Sequence, residues 1–419
     1  MTQSADSHSG ALSHIRICDF TGQLAGAGAT RILATFGAQV IRIEDRVTNG
    51  KWDILRGNPP YPPGMRGNEV GGAFNNHNVE KLGVTLNMRT AKGRELLRKL
   101  IAVSDVVAEN FSAGVMERWG FTYDRMAVLR PDLIYVSNSG FGHEGPYSTF
   151  KTWGPIVQAV SGLTFQSGLP GLPPAGWGYS YMDHTGAYFM AIAILAALYH
   201  RARTGQGQWV DMSCTDAAAT LNGPALLDYT ANSRPLRRPG RPHSNRHNFP
   251  VMAPHGIYRC RGDDQWVAIA ARDDRDWHAI CDVLGHPEWK EDPRFRDVQA
   301  RITNLDALDR LIEAWTTLRD PRDVMDALQA RGVPAAMVQH PEDRVDHDAN
   351  TAHWGLWPEV EHPQMGRVRV DGVPIKLSAT PAELRHGAPT LGQHNEPVFC
   401  GILGLNAEEL ASLEQEEVV

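Results

Sequence analysis

The chain has 419 residues, of which 42% are hydrophobic and 21% are charged. This is the balance of a globular protein, and the length exceeds what one hydrophobic core usually supports, so we expect two domains. The formal charge of −7 excludes a strongly basic protein of the kind that binds nucleic acid. The five cysteines form no CxxC pair, so the sequence predicts neither a thiolate metal site nor a disulfide framework.

Two features bear on location. The first fourteen residues are polar and lack the apolar segment of a secretory signal. The longest apolar run, residues 187–198, is too short to span a bilayer. We therefore expect a cytoplasmic protein without a membrane partner.

The first domain begins with a strand–helix–strand pattern. Apolar runs at 15–20 and 39–43 flank a glycine-containing turn and a helical segment. This pattern is typical of a doubly wound parallel sheet. Gly26 and Gly28 are spaced as in a dinucleotide fingerprint, but Arg31 stands where the third glycine belongs, which disfavours NAD. Further strands of the same sheet are predicted at 84–86, 103–107, 133–137 and 208–212.

The composition changes after residue 230. Residues 232–250 are rich in proline and arginine and predict an extended linker. A hairpin is predicted at 256–271, followed by helices at 274–284, 303–317 and 321–331 and a strand at 332–340. These elements indicate a smaller α+β domain.

Asp183 precedes the apolar run 187–198, which predicts a buried helix. A carboxylate at the start of a helix can be a simple N-cap, and position alone favours that reading. Alternatively, the helix dipole can hold the carboxylate ionised, which is the state that a nucleophile needs. Asn110 and Phe111 follow a predicted strand, where open α/β sheets bind ligands, although a turn Asn and a core Phe fit equally well.

Five ordered motifs make the chain resemble a known family. They are DFTGQLAGAGATRILATFGAQVIRIE from residue 19, VAENFSAGVMERWGFTYD from 107, LIYVSNSGFGHEGPY from 133, QAVSGL from 158, and MDHTGAY with AILAALYHRARTGQGQWVDMS from 182. Together with the tail KLSATPAELRHGAPTLGQHNEPV from 376 they resemble the class III CoA-transferases, the group of formyl-CoA:oxalate and carnitine CoA-transferases. The resemblance covers nearly the whole chain.

The resemblance implies a reaction and its residues. Asp183 matches the catalytic aspartate, which would form a mixed anhydride and then an aspartyl-CoA thioester while CoA passes from a donor acyl-CoA to an acceptor acid. Acyl-CoA and a carboxylic acid are then the substrates, with no prosthetic group and no metal. Gly140 would shape the cleft. The implied CoA contacts are Ala25, Arg42, Lys81, Asn110, Phe111 and Arg118.

The resemblance also implies an architecture. Residues 1–215 would begin a large, Rossmann-like, CoA-binding domain, 225–340 would hold the linker and the small α+β domain, and 341–419 would return to the large domain. Ring-shaped monomers would interlock in a dimer. A homodimer is expected, although a heteromer with a homologous subunit is also compatible.

Departures from related patterns leave alternatives open. Ser139 stands where oxalate-specific members carry lysine, so a small oxalate-like acid is in doubt. Trp177, Tyr179, Tyr181 and Phe141 hint at a larger acid, either aromatic or a dicarboxylate such as succinate. An α-methylacyl-CoA racemase would need a His-Asp pair where Trp153 and Gly154 stand. A non-catalytic acyl-CoA-binding subunit of a heteromeric transferase could lack the nucleophile, whereas this chain retains Asp183.

Overall fold

A computed structural model describes residues 10–169, 171–239, 241–246 and 250–419. The chain divides into two compact units. The first comprises Met1–Gln166, Ala175–Pro235 and Asn350–Val419, and the second comprises Ser167–Pro174 and Leu236–Ala349. The assignment of CoA binding to the large domain, with its boundaries at 215, 225 and 340, stays a prediction.

The first unit is built on a parallel sheet. Its strands are β1 (Arg16–Phe20), β2 (Gln39–Glu44), β3 (Leu82–Thr85), β4 (Val106–Glu109), β5 (Ile134–Ser139) and β6 (Gln208–Ser213). They lie in the order β3-β2-β1-β4-β5-β6, and every neighbouring pair is parallel. Cys18 in the middle of β1 pairs with Ile41 on one side and Val107 on the other. This is the doubly wound order, so the predicted Rossmann-like sheet is confirmed.

Helices cover the sheet because both faces of its strands are apolar. The helices of this part of the chain are α1 (Ala27–Thr35), α2 (Gly72–Asn78), α3 (Ala91–Ala102), α4 (Val115–Arg118), α5 (Tyr123–Leu129), α6 (Gly154–Val160), α7 (Leu163–Gln166), α8 (Tyr181–Thr204), α9 (Cys214–Ala219) and α10 (Gly223–Asn232). On one face Leu33 of α1 and Met190 of α8 pack against Ile17. On the other face Leu97 of α3 packs near Ile41. The sheet is therefore the centre of the unit.

Helix α8 is longer and less buried than the sequence predicts. It begins at Tyr181, not at Ala187, and only one of its faces lies in the core. Tyr188, Ile192 and Tyr199 on the other face are 56%, 61% and 65% exposed. The expectation of a buried helix is therefore wrong for half of its surface, because an apolar run alone does not show what covers each side.

The length and composition of α8 would allow it to cross a membrane, and among the described residues no other helix meets this criterion. A single such helix is weak evidence, because the core helices of soluble proteins pass the same test. The cytoplasmic location stays a prediction.

The second unit has its own three-stranded antiparallel sheet and helical core. Trp277, Phe295 and Ile312 are fully buried in it, and the predicted hairpin is confirmed as β7 pairing with β8. Its elements are β7 (His255–Arg259), β8 (Trp266–Ala270), α11 (Asp274–Leu284), a 3-10 turn at Pro287–Lys290, α12 (Val298–Thr303), α13 (Leu305–Thr316), α14 (Pro321–Gln329) and β9 (Ala335–Met337). The predicted α+β composition is therefore confirmed.

The C-terminal segment packs on the first unit. Val398 and Phe399 belong to the core that surrounds β2 and β3, and His394 and Asn395 accept hydrogen bonds from the backbone of β3. The elements here are α15 (Ala349–Trp354), β10 (Glu359–His362), β11 (Gly366–Arg369), α16 (Asn395–Phe399) and α17 (Ala407–Gln415). The last residues of the chain thus complete the first unit.

Candidate active site

A cavity of about 320 Å³ opens at the carboxyl edge of the parallel sheet. It lies where β1 and β4 are neighbours but lead away in opposite directions, which is where doubly wound sheets bind ligands. Residues that follow β1, β4 and β5 and the first turn of α8 form its walls. The lining residues used below are Gly22, Ala25, Trp52, Asn110, Phe111, Asn138, Ser139, Gly140, Phe150, Lys151, Trp153, Asp183 and Cys214.

Asp183 is the third residue of α8 and its side chain reaches the cavity. Ser180 occupies the N-cap position, so the alternative reading of Asp183 as the N-cap is wrong. Burial raises the pKa of Asp183 above its ordinary value of 3.8, although a hydrogen bond with Ser180 and the charge of His184 oppose this effect. Burial therefore disfavours the ionised carboxylate, which the helix dipole was expected to favour.

Gly154, the first residue of α6, lies directly against the carboxylate of Asp183. A methyl group on its Cα would be 2.0 Å from Oδ2 of Asp183 and 3.2 Å from Cβ of Ser180. Only glycine permits so close an approach. In the sequence, Gly154 stands out only as part of the missing racemase pair, because no local signal shows that α6 and α8 meet here.

The turn after β1 is held by Asn110. The side-chain oxygen of Asn110 accepts a hydrogen bond from the backbone N–H of Gly22 (2.7 Å), and its amide nitrogen donates to the carbonyl of the same residue (3.1 Å). A Cβ at Gly26 would lie 2.5 Å from that side-chain oxygen. Asn110 therefore lines the cavity and also holds the turn after β1 in place.

Arg42 and Lys81 are fully buried and do not line the cavity. Arg42 donates to the carbonyl of Thr21 (2.6 Å) and pairs with Asp53 (2.7 Å). Lys81 pairs with Asp19 (3.1 Å), which also accepts a hydrogen bond from the backbone N–H of Thr21 (2.9 Å). Burial lowers the pKa of Lys81 to about 8. Their predicted direct contacts with CoA find no support in this geometry, because protein groups enclose both side chains; instead, both fix the turn that begins at Thr21.

The other residues predicted to contact CoA do not all lie at the first cavity. Ala25, Phe111 and Gly140 line the first cavity. Phe111 and Trp52 also line a second cavity of about 320 Å³, whose other walls include Phe20, Met88, Arg89, Val115 and Trp119. Arg118 is exposed on the short helix α4 between Val115 and Trp119. Arg118 thus lines neither cavity, although its sequence neighbours Val115 and Trp119 line the second one.

The first cavity has few charged side chains. Among the residues that the structure describes, Asp183 is its one acidic side chain and Lys151 its one cationic side chain. Burial raises the pKa of Cys214 to about 12, so this thiol stays protonated and is a poor nucleophile. Within the described ranges, no three His, Cys, Asp or Glu residues are grouped to hold a metal ion. The carboxylate of Asp183 is therefore a candidate nucleophile in this cavity.

Several residues that line the first cavity could not be predicted from the sequence. Trp52, Phe150, Lys151 and Trp153 line the cavity but carry no motif that links them to it. Trp177, Tyr179 and Tyr181, which hinted at the size of the substrate, are not among its lining residues. Loop geometry decides which aromatic side chain meets a cavity, and composition does not reveal it.

Comparisons with known proteins show which family the chain resembles. The profile of CoA-transferase family III matches residues 12–395. A succinyl-CoA–D-citramalate CoA-transferase of Chloroflexus aurantiacus is 32% identical over 97% of this chain and 98% of its own. A formyl-CoA:oxalate CoA-transferase of Streptomyces coelicolor is 33% identical over 98% and 99%. A crystal structure of a CAIB/BAIF family protein from Brucella suis superposes with a TM-score of 0.83, at 29% identity, over 94% of this chain and 99% of that one. The chain therefore belongs to CoA-transferase family III.

Proposed function

We propose that this protein moves CoA from a donor acyl-CoA to an acceptor carboxylic acid, with Asp183 as the covalent nucleophile. The observation that carries the proposal is the position of Asp183, an ionisable carboxylate on the cavity at the switch point of the sheet. Membership of the family supplies the reaction class.

The donor half of the reaction takes two steps. A carboxylate oxygen of Asp183 attacks the thioester carbonyl carbon, the C–S bond breaks, and a mixed anhydride and the CoA thiolate form. The thiolate then attacks the Asp183 carbonyl carbon of the anhydride. The C–O bond breaks, the donor acid leaves as its carboxylate, and an aspartyl-CoA thioester remains.

The acceptor half repeats these steps in reverse order. The acceptor carboxylate attacks the aspartyl thioester, which releases the thiolate and forms a second mixed anhydride. The thiolate attacks the acyl carbon of the acceptor and regenerates the Asp183 carboxylate. No proton is gained or lost overall, and the positive end of α8 beside Asp183 stabilises the negative charge of each tetrahedral intermediate.

The two cavities are adjacent, because Trp52 and Phe111 line both of them. We propose that an acyl-CoA occupies both. We place the thioester near Asp183, between Ala25, Asn110 and Gly140. The purine would pack among the aromatic rings of the second cavity, where Arg89 and the nearby Arg118 are cationic partners for phosphate.

Lys151 favours an acceptor with a second negative charge. Lys151 is three residues from Gly154, so their Cα atoms are at most about 11 Å apart, and Gly154 touches the carboxylate of Asp183. The four-carbon stem of lysine can bring its ammonium group nearer still. The relatives are named for succinyl-CoA, D-citramalate and oxalate, which supports a dicarboxylic acid as a substrate.

This proposal is tested by comparing transfer to a dicarboxylic acid with transfer to a monocarboxylic acid of equal length. With a fixed donor such as succinyl-CoA, we expect transfer to dicarboxylic acids, read by mass spectrometry of the CoA products. In Lys151→Met, kcat/KM for a dicarboxylic acid should fall about 10- to 100-fold, because one charge-assisted hydrogen bond is lost. A monocarboxylic acid of equal length should be unaffected, as should Lys99→Met, which changes an exposed lysine of α3.

The outcomes separate the two parts of the proposal. An equal loss for both acids would assign Lys151 to CoA phosphate binding, and an unchanged ratio would remove Lys151 from selectivity. Absence of transfer to any acid, with exchange of the α-proton of a 2-methylacyl-CoA in deuterium oxide, would instead favour the racemase reading.

We also propose that the protein is an interlocked dimer. The exposed apolar face of α8 supports this, as does α10, where Leu226, Leu227 and Tyr229 are 58%, 65% and 62% exposed. Exposed apolar patches often mark protein–protein interfaces. Light scattering of the purified chain should give about twice 46.2 kDa. A stable monomer at micromolar concentration would contradict a homodimer and point to a homologous second subunit.

A further inference from the structure

A buried histidine links the segment after β5 to β4 and β6. His143 follows β5, and its side chain is only 5% exposed. Its Nε2 lies 3.4 Å from Oε1 of Glu109, the last residue of β4. Its Nδ1 lies 3.2 Å from Oδ1 of Asp211 in β6. One imidazole ring thus lies between two carboxylates.

Both carboxylates also hold backbone that leads to the cavities. Oε2 of Glu109 accepts a hydrogen bond from the backbone N–H of Phe111 (2.6 Å), a residue that lines both cavities. Both oxygens of Asp211 accept from the backbone N–H of His143 (3.0 and 2.9 Å), three residues after Gly140. The network therefore connects two walls of the proposed acyl-CoA site.

The protonation state of the ring follows from its partners. A neutral imidazole has one N–H, so one of its nitrogens would direct a lone pair at a carboxylate oxygen. Only the imidazolium donates from both nitrogens. We propose that His143 is held as an imidazolium and acts as a positioning residue, which fixes the Phe111 turn and the Gly140 loop for acyl-CoA binding.

The charges around the ring agree with this assignment. Burial disfavours the imidazolium, but the hydrogen bond and charge of Glu109, with the charges of Asp211 and of Glu117 on α4, raise the pKa of His143 above 6.5. The Tyr135 hydroxyl donates to Oε1 of Glu109 (3.0 Å). The ring of Trp209 contacts the imidazole edge-on, with centroids 6.3 Å apart.

The consequence is a defined pH dependence. Because the folded-state pKa is raised, the stability that His143 contributes is complete below 6.5 and is lost as the pH rises through the folded-state pKa. Deprotonation leaves the fully buried Glu109 without its cation. We therefore expect the KM for acyl-CoA to rise about tenfold at alkaline pH, whereas kcat changes little. This ligand effect rests on the proposed function; the charge on the ring does not.

The charge is tested by NMR of protein labelled in its histidine rings, with His143→Gln used to assign the signal. We expect His143 to be protonated at pH 6.5 and to titrate above it, and Asp211→Asn should move that titration to lower pH. A neutral His143 ring at pH 6.5 would overturn the proposal, whatever the enzyme's substrate.

The positioning role is tested by kinetics and unfolding over the same pH range. His143→Gln should remove both the alkaline rise in KM and the alkaline loss of stability. His278→Gln, which changes an exposed histidine of α11, should keep both. If His143→Gln lowers stability equally at all pH values, or if Asp211→Asn leaves the KM profile unchanged, His143 has only a structural role. Should no acyl-CoA be turned over at all, the proposed function fails while the NMR result still decides the charge.

Discussion

Replacing Asp183 by asparagine should lower kcat by at least about 10⁴-fold, because the amide cannot form the anhydride or the thioester. The change keeps the shape of the side chain and its place in the first turn of α8. Since burial raises the pKa of Asp183, the ionised carboxylate destabilises the folded state at neutral pH relative to acid pH. Asp183→Asn should therefore unfold at the same temperature or slightly higher.

The control for this variant is Asp216→Asn. Asp216 is an exposed carboxylate in α9, two residues after Cys214 of the cavity wall. It carries the same change in charge without touching the cavity, so its transfer rate should be that of the unmodified protein. Near-normal transfer by Asp183→Asn would exclude Asp183 as the nucleophile.

Replacing Gly154 by alanine should cost about 100-fold in kcat with little loss of stability. The new methyl group would lie 2.0 Å from Oδ2 of Asp183, so the carboxylate must move. The displaced atom is the end of a side chain that can rotate, which keeps the cost in folding free energy small. A displacement of about 1 Å at a reacting group can cost about 10²-fold in rate.

Gly154→Ala should slow the chemical step without weakening the binding of acyl-CoA. The KM for acyl-CoA should stay close to its normal value, because Gly154 is not among the residues that line either cavity. Gly176→Ala is the matched control, since a Cβ there would meet no atom within 4 Å. Normal kcat in Gly154→Ala would mean that the observed orientation of the carboxylate does not matter for catalysis.

The sheet could be predicted because its signals are local. Continuous apolar runs between turn residues predicted strands at 15–20 and 39–43, and the structure has Arg16–Phe20 and Gln39–Glu44. The strand predicted at 103–107 is instead Val106–Glu109. Val103 is the C-cap of α3, and an apolar pattern does not distinguish the end of a helix from the start of the next strand.

The site could be predicted only in part, because its geometry depends on contacts between distant residues. Asp183 and Gly154 are 29 positions apart and meet only where α6 packs near α8. Arg42 and Lys81 have the charges expected of phosphate ligands, but their buried partners, Asp53 and Asp19, are decided by the fold. Charge and spacing identify reactive residues more readily than they identify the residues that position them.

The measurement that tests the central claim most directly is mass spectrometry of the intact protein after incubation with a donor acyl-CoA and no acceptor, followed by peptide mapping. If a thioester forms at Asp183, the peptide that contains this residue should carry an added CoA. Hydroxylamine should replace that CoA by a hydroxamate, and Asp183→Asn should carry no adduct. Transfer that proceeds with the adduct on another residue, or with no adduct at all while Asp183→Asn stays active, would contradict the mechanism.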